Sequence, residues 1–151
     1  MPKMVGKNLP RKDAYEKVTG RAVYTDDITY PGMWYGAVAR AMIPRGKVKS
    51  IKFSNEFDWS KVVVCDHRDV PGRNVVVIAK DDQQLLVKDV INHVGEAVCL
   101  VAAPTKNLAE EARKNIAIEY EELPSVATIK EARAKRAIVY GNNNEICRYK
   151  I

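Results

Sequence analysis

Cysteine and histidine are scarce in this chain, which has three of the first and two of the second in 151 residues. Cys65, Cys99 and Cys147 lie far apart and are odd in number, so neither a disulfide scaffold nor a paired-cysteine metal site is indicated. His67 and His93 stand at no ligand spacing from a cysteine, which argues against a protein-made zinc or iron centre. Long apolar runs are missing too. The longest, Val75 to Ala79 and Ala97 to Pro104, fall well short of the ~20 residues that span a bilayer. With no apolar signal core at the start, the expectation is a cytoplasmic chain that meets no membrane. The glycines are scattered singly, with neither GxGxxG nor GxxxxGK[ST], so there is no phosphate cradle. No GxSxG elbow and no Cys, His and acid set supports nucleophilic catalysis.

What is present reads as one ordinary folded domain. The composition, 46% hydrophobic and 29% charged, is far from disordered or fibrous extremes. Charge is uneven: residues 1–50 carry ten Lys or Arg against four Asp or Glu, and the remainder carries fifteen of each. A basic start of this kind, with Lys3, Lys7, Arg11 and Lys12, could meet nucleic acid. That alternative, a stand-alone basic nucleic-acid-binding module, would need stacking aromatics on a basic strand face, for which Trp34, Tyr35 and Trp59 are the candidates. Paired acids at Asp26-Asp27, Asp81-Asp82 and Glu121-Glu122 sit in loops or at strand ends, with no partner in the sequence to shift a pKa. They read as solvated.

Along the chain, residues 1–12 with Pro2 and Pro10 suit a basic arm. Asp13 is placed to cap a short helical turn that Gly20 ends in a left-handed conformation. After the Tyr30-Pro31-Gly32 turn, Met33 to Ala41 and Lys47 to Phe53 read as strands, expected to be hairpin neighbours. Lys61 to Cys65 and Val75 to Ala79 read as a second strand pair around Pro71-Gly72. The uncharged run from Ala97 predicts a central strand covered on both faces, with Val98 and Leu100 in the core. A helix follows, with Asn107 as its cap, Leu108, Ala112 and Ile116 as its apolar stripe, and Glu110 facing Lys114. Ile116, Ile118 and Tyr120 then alternate as a strand with one wet face, and a short helix is expected around Ile129 to Ala134. Strand pairs and short helices without regular βαβ alternation predict an α+β fold with a mixed sheet.

An ordered series of short words adds a resemblance. Val5-Gly6-Lys7, Arg11, Asp13-Ala14, Lys17-Val18-Thr19-Gly20, Ala22, Tyr24, Asp26-Asp27-Ile28 and Pro31-Gly32-Met33 open it. Asp69-Val70-Pro71-Gly72, His93-Val94-Gly95-Glu96, Leu100-Val101-Ala102-Ala103, Thr105, Ile118-Glu119-Tyr120-Glu121 and Leu123-Pro124 follow in order. Together, over about residues 5–145, they resemble the N-terminal α/β-hammerhead domain of the large molybdopterin-binding subunit in the xanthine dehydrogenase and aldehyde oxidase family of molybdenum hydroxylases. The chain departs from that pattern at Arg40-Ala41-Met42 and Arg45, where many relatives have a Ser-Pro and then a histidine. It departs again at Phe57-Asp58-Trp59-Ser60, where a Pro-Gly-Val is common.

The resemblance implies a division at residues 1–12 (basic arm), 13–140 (hammerhead domain) and 141–151 (start of a linker to a molybdopterin-binding domain). It implies an oxidoreductase that hydroxylates an aldehyde or aromatic heterocycle at molybdenum bound to molybdopterin, with iron-sulfur clusters and FAD on other domains or subunits. On this chain it implies no catalytic, cofactor-binding or metal-binding residue and no activity in isolation. Asp13, Lys17, Gly20, Tyr24, Asp26, Asp27, Pro31, Gly32, Gly95 and Glu96 would be structural signature positions. The implied partners are the molybdopterin-binding domain and the iron-sulfur and FAD domains or subunits, without nucleic acid. Self-association through an uncovered apolar patch is the further expectation.

Overall fold

The computed structural model describes residues 5–77 and 82–150. The first four residues of the expected arm, the Ile78-Ala79 end of an expected strand and Asp81 lie outside the described residues. The chain divides into one unit up to Met33 and another from Trp34.

The first unit is built from turns. Helix α1 (Ala14–Val18) buries none of its residues. Asp13 precedes it as expected, but its carboxylate makes no capping bond; it faces Lys17 at 2.7 Å and Arg11 at 2.6 Å instead. Cations one turn away compete with the amides for the same oxygens. Gly20 ends the helix at φ +71, where a side chain would be strained. A 3-10 turn spans Thr25–Asp27.

Among the described residues the second unit holds six strands: β1 (Tyr35–Arg40), β2 (Gly46–Phe53), β3 (Val63–Cys65), β4 (Val90–Ile91), β5 (Ala97–Ala103) and β6 (Ile116–Glu122). The α+β class is as read. In place of one mixed sheet, however, the strands form two three-stranded sheets, β1-β5-β3 and β4-β2-β6, with antiparallel pairing throughout. The expected hairpin of β1 and β2 does not form, because the chain leaves one sheet for the other between them. Ala41, fully buried, exchanges backbone hydrogen bonds with Glu96 and Gly95, and β2 then starts at Gly46 against Ile91 and Glu122. A Cβ on Gly46 would meet Ile43 Cδ1 and lie 2.7 Å from the Glu121 carbonyl oxygen, so the crossing needs glycine there.

Cross-strand charge explains the choice of partner for β2. Lys52 lies 2.5 Å and Lys49 3.8 Å from Glu119 and Glu121 of β6, on the exposed side of a pair whose Ile51 and Ile118 face the core. β3 likewise pairs with β5, not with the segment from Val75; there Val76 makes only an isolated bridge to Gln83.

Helix α2 (Lys106–Lys114) covers one side of the first sheet. It is capped by the Thr105 hydroxyl, which accepts from the Leu108 amide, and not by Asn107, which lies inside the helix. Ala109 and Ala112 are its buried residues. Glu110 pairs with Arg113 at 2.9 Å, not with Lys114, and Ile116 has already entered β6. Along β6, half-buried Ile116, Ile118 and Tyr120 alternate with exposed neighbours as the sequence predicts. Helix α3 (Ile129–Arg133) begins with a Thr128–Glu131 capping box. Beyond Gly141 the chain folds back: the Asn144 side chain accepts from the Val139 and Tyr140 amides and donates to the Ala132 and Ala137 carbonyls.

Candidate functional site

The first sheet has two unlike faces. On one, Ala37, Val101 and Ala103 pack with Ala109 of α2 into a closed core. Small residues there let the helix approach closely. Alternation along the strands puts Val38, Leu100 and Cys65 on the other face, and the register aligns them in one row across β1, β5 and β3. Val98 at the start of β5 is covered by Val87, Ile91 and Ala41. Two residues on, Leu100 is 41% exposed and Val63 of β3 is 50% exposed. The expectation that Leu100 is core is therefore wrong for this chain: its run is as apolar as a two-sided strand, but only one side is fully covered.

The uncovered face forms an open groove of about 490 Å³. Leu100, Val38, Leu85 and Pro71 give it an apolar floor, and Arg40, Asp66 and Asp69 stand at its rim. The rim charges are already engaged. Arg40 donates to the Gly95 carbonyl at 2.8 Å. Asp66 accepts from the Arg68 side chain and amide, which holds its carboxyl below the ordinary range. Cys65 lines the groove half-buried, and burial pushes the neighbouring core thiol of Cys99 up to about 11.

Directly before Ala97, which lines the groove, stands a carboxylate whose burial sequence reasoning did not foresee. Glu96 is 5% exposed. It accepts from the Asn92 amide at 2.5 Å and from the Gln84 side chain at 3.3 Å, while Gln84 also donates to the Val90 carbonyl. Beside it, Gly95 takes φ +83. The pair thus fixes the turn joining β4 to β5, where the two sheets meet. The available signal was the word Gly95-Glu96 directly before an apolar run, with Asn92 and Gln84 upstream as polar partners.

The other signature positions all lie in the first unit, away from Gly95 and Glu96 in sequence, and they make turns. Asp27 accepts from the Tyr24 amide at 2.9 Å, closing the 3-10 turn that contains Asp26. The Pro31-Gly32 turn is closed by the Met33 amide on the Tyr30 carbonyl at 3.1 Å, with Gly32 at φ +74. Lys17 is spent on Asp13. Of the aromatics a nucleic-acid surface would need, Tyr35 packs on the core and Trp59 stands edge-on to Phe53 and Phe57. Among the described residues no three His, Cys, Asp or Glu side chains converge as metal ligands would, and no helix is long and apolar enough to cross a membrane.

A family model described as aldehyde oxidase and xanthine dehydrogenase, a/b hammerhead domain, matches residues 19–124. That span takes in both sheets and α2. The nicotinate dehydrogenase large molybdopterin subunit of Eubacterium barkeri is 34% identical over 143 residues, covering 93% of this chain and 34% of its own. A xanthine dehydrogenase of Blastobotrys adeninivorans is 33% identical over 135 residues, 86% of this chain and 10% of its own. The crystal structure of the aldehyde oxidoreductase from Desulfovibrio desulfuricans ATCC 27774 superposes with a TM-score of 0.79 at 26% identity, over 92% of this chain and 17% of that one. This chain therefore spans about a third or less of the relatives it matches.

Proposed function

Because the chain belongs to the aldehyde oxidase and xanthine dehydrogenase family, as its a/b hammerhead domain, we propose that it serves a molybdopterin-dependent oxidoreductase as a structural and contact domain. In this reading residues 13–140 are that domain, residues 1–12 a basic arm and residues 141–151 the approach to a molybdopterin-binding domain. The complete enzyme hydroxylates an aldehyde or aromatic heterocycle, with iron-sulfur and FAD partners carrying electrons away. None of the reacting groups is supplied by these 151 residues.

The observation that carries the proposal is the open side of the β1-β5-β3 sheet. An apolar strand flanked on only one side leaves Leu100 and Val63 in water, and burying such surface is worth roughly 25 cal/mol per Å². The molybdopterin-binding domain is the occupant. The groove does not suit the cofactor itself, since its floor is apolar.

Two measurements test this. Leu100→Asp in the full enzyme leaves the hammerhead folded and disrupts its assembly with the molybdopterin-binding domain; unchanged assembly would contradict the docking face. The 151-residue chain purified alone retains no stoichiometric molybdenum or iron and oxidises neither aldehydes nor purines. About one molybdenum per chain with substrate-dependent dye reduction would place a functional centre here that the proposal lacks.

A further inference from the structure

Away from the groove, the turn after β1, the turn before β5 and the segment after β6 enclose a second hollow of about 220 Å³. Arg45, Asn92, His93 and Ser125 supply its polar groups, and Val94 and Val139 are among its apolar walls. Among the described residues no carboxylate lines it. Two carboxylates bond to its lining residues from behind: Glu96, buried, accepts from the Asn92 amide, and Glu131 is turned to the Ala127 and Thr128 amides.

We propose that this hollow is a binding site for a carboxylate on a short hydrocarbon stem, with Arg45 as the anchor and His93 as the second donor. Arg45 donates to the Pro124 and Ile138 carbonyls, both at 2.9 Å. A guanidinium has five N–H groups, so the two bonds fix its plane and leave donors over. A planar fork held in place matches the two oxygens of a carboxylate. The valines suit the stem of an organic acid better than a fully hydrated phosphate.

His93 makes the binding proton-linked. Its Nδ1 lies 3.0 Å from the Val94 carbonyl, an acceptor, so Nδ1 carries the hydrogen. Nε2 then donates only when the ring is protonated. A carboxylate entering the hollow takes up one proton on Nε2, and among the described residues Arg45 is the only other charged group lining the cavity. The acid is either free or presented by a Glu, Asp or C-terminus of a partner protein.

The test is an amide-resolved NMR titration of the chain with butyrate, butyramide, inorganic phosphate and a capped glutamate peptide. Butyrate produces saturable shifts confined to residues 45, 92–94, 125–127 and 138–139, tightening on acidification, and butyramide produces none. His93→Asn, which removes only an exposed ring, weakens butyrate about tenfold and abolishes the acid tightening. Arg45→Ala also frees two carbonyls, so Arg45→Lys is the companion variant: it keeps the charge, loses the fork and weakens binding by at least as much. Glutamate peptide binding as tightly as butyrate marks a partner side chain as the ligand; weaker binding marks a free acid. Equal shifts with butyramide, tighter binding of phosphate, or wild-type affinity in both His93→Asn and Arg45→Lys overturns the proposal.

Discussion

The Glu96 carboxylate lies 2.5 Å from the backbone amide of Asn92, across the turn that carries the chain from one sheet into the other. A buried acid with a short bond to a main-chain amide is costly to remove, because the amide is left without a partner. Glu96→Ala destabilises the chain by about 1–3 kcal/mol, and Glu96→Gln, which keeps an acceptor oxygen, by less. Urea denaturation of the three proteins checks the order.

The unlike faces of the first sheet predict unlike costs. Ile91 is fully buried and Leu100 is 41% exposed. Ile91→Ala costs about 2–5 kcal/mol. Leu100→Ala leaves a smaller deficit, since much of what it loses was already in water. Equal losses of stability would mean that the outer side of β5 is covered within this chain.

The start of α2 separates what the sequence disclosed from what it did not. Residues Thr105 and Asn107 are both capping types, and the spacing to Glu110 favoured the second. The chain uses Thr105, because β5 ends at Ala103 and delivers the backbone to the helix two residues earlier. Thr105→Ala costs about 1 kcal/mol, whereas Asn107→Ala changes little; the thermal midpoints of the two variants distinguish them.

Strand existence was legible for β1, β2, β3, β5 and β6, which β-branched or alternating runs mark directly, but not for the two-residue β4, and the strand expected from Val75 shows only the Val76 bridge among the described residues. Pairing was not, because sequence neighbours are the default and nothing local says that Ala41 crosses between sheets. The complement of Lys49 and Lys52 with Glu119 and Glu121 was the available clue, and it lies almost seventy residues apart in sequence. The candidate surface was half legible. The apolar run from Ala97 is visible in composition, but which of its two sides lacks a neighbour depends on where α2 and the second sheet come to rest.

Asp66 supplies a pH test. The Arg68 hydrogen bond lowers its carboxyl pKa in the folded chain. A depressed folded value means stability that is present above the unfolded carboxyl pKa and is lost as pH falls through the folded one, here below about pH 4. Asp66→Asn is therefore less stable than the parent near neutrality, and the gap narrows on acidification. Arg68 is largely exposed, so added salt narrows it too. A gap that widened in acid would contradict this assignment.

The three cysteines offer the most direct measurement of the docking face, since Cys147 is exposed, Cys65 half-buried on the groove and Cys99 buried. Thiol alkylation of the free chain proceeds fastest at Cys147, more slowly at Cys65 and slowest at Cys99, whose raised pKa also suppresses the thiolate. In the assembled enzyme the account predicts that Cys65 becomes protected. Alkylation of Cys65 at the same rate in the free chain and in the assembled enzyme would contradict it.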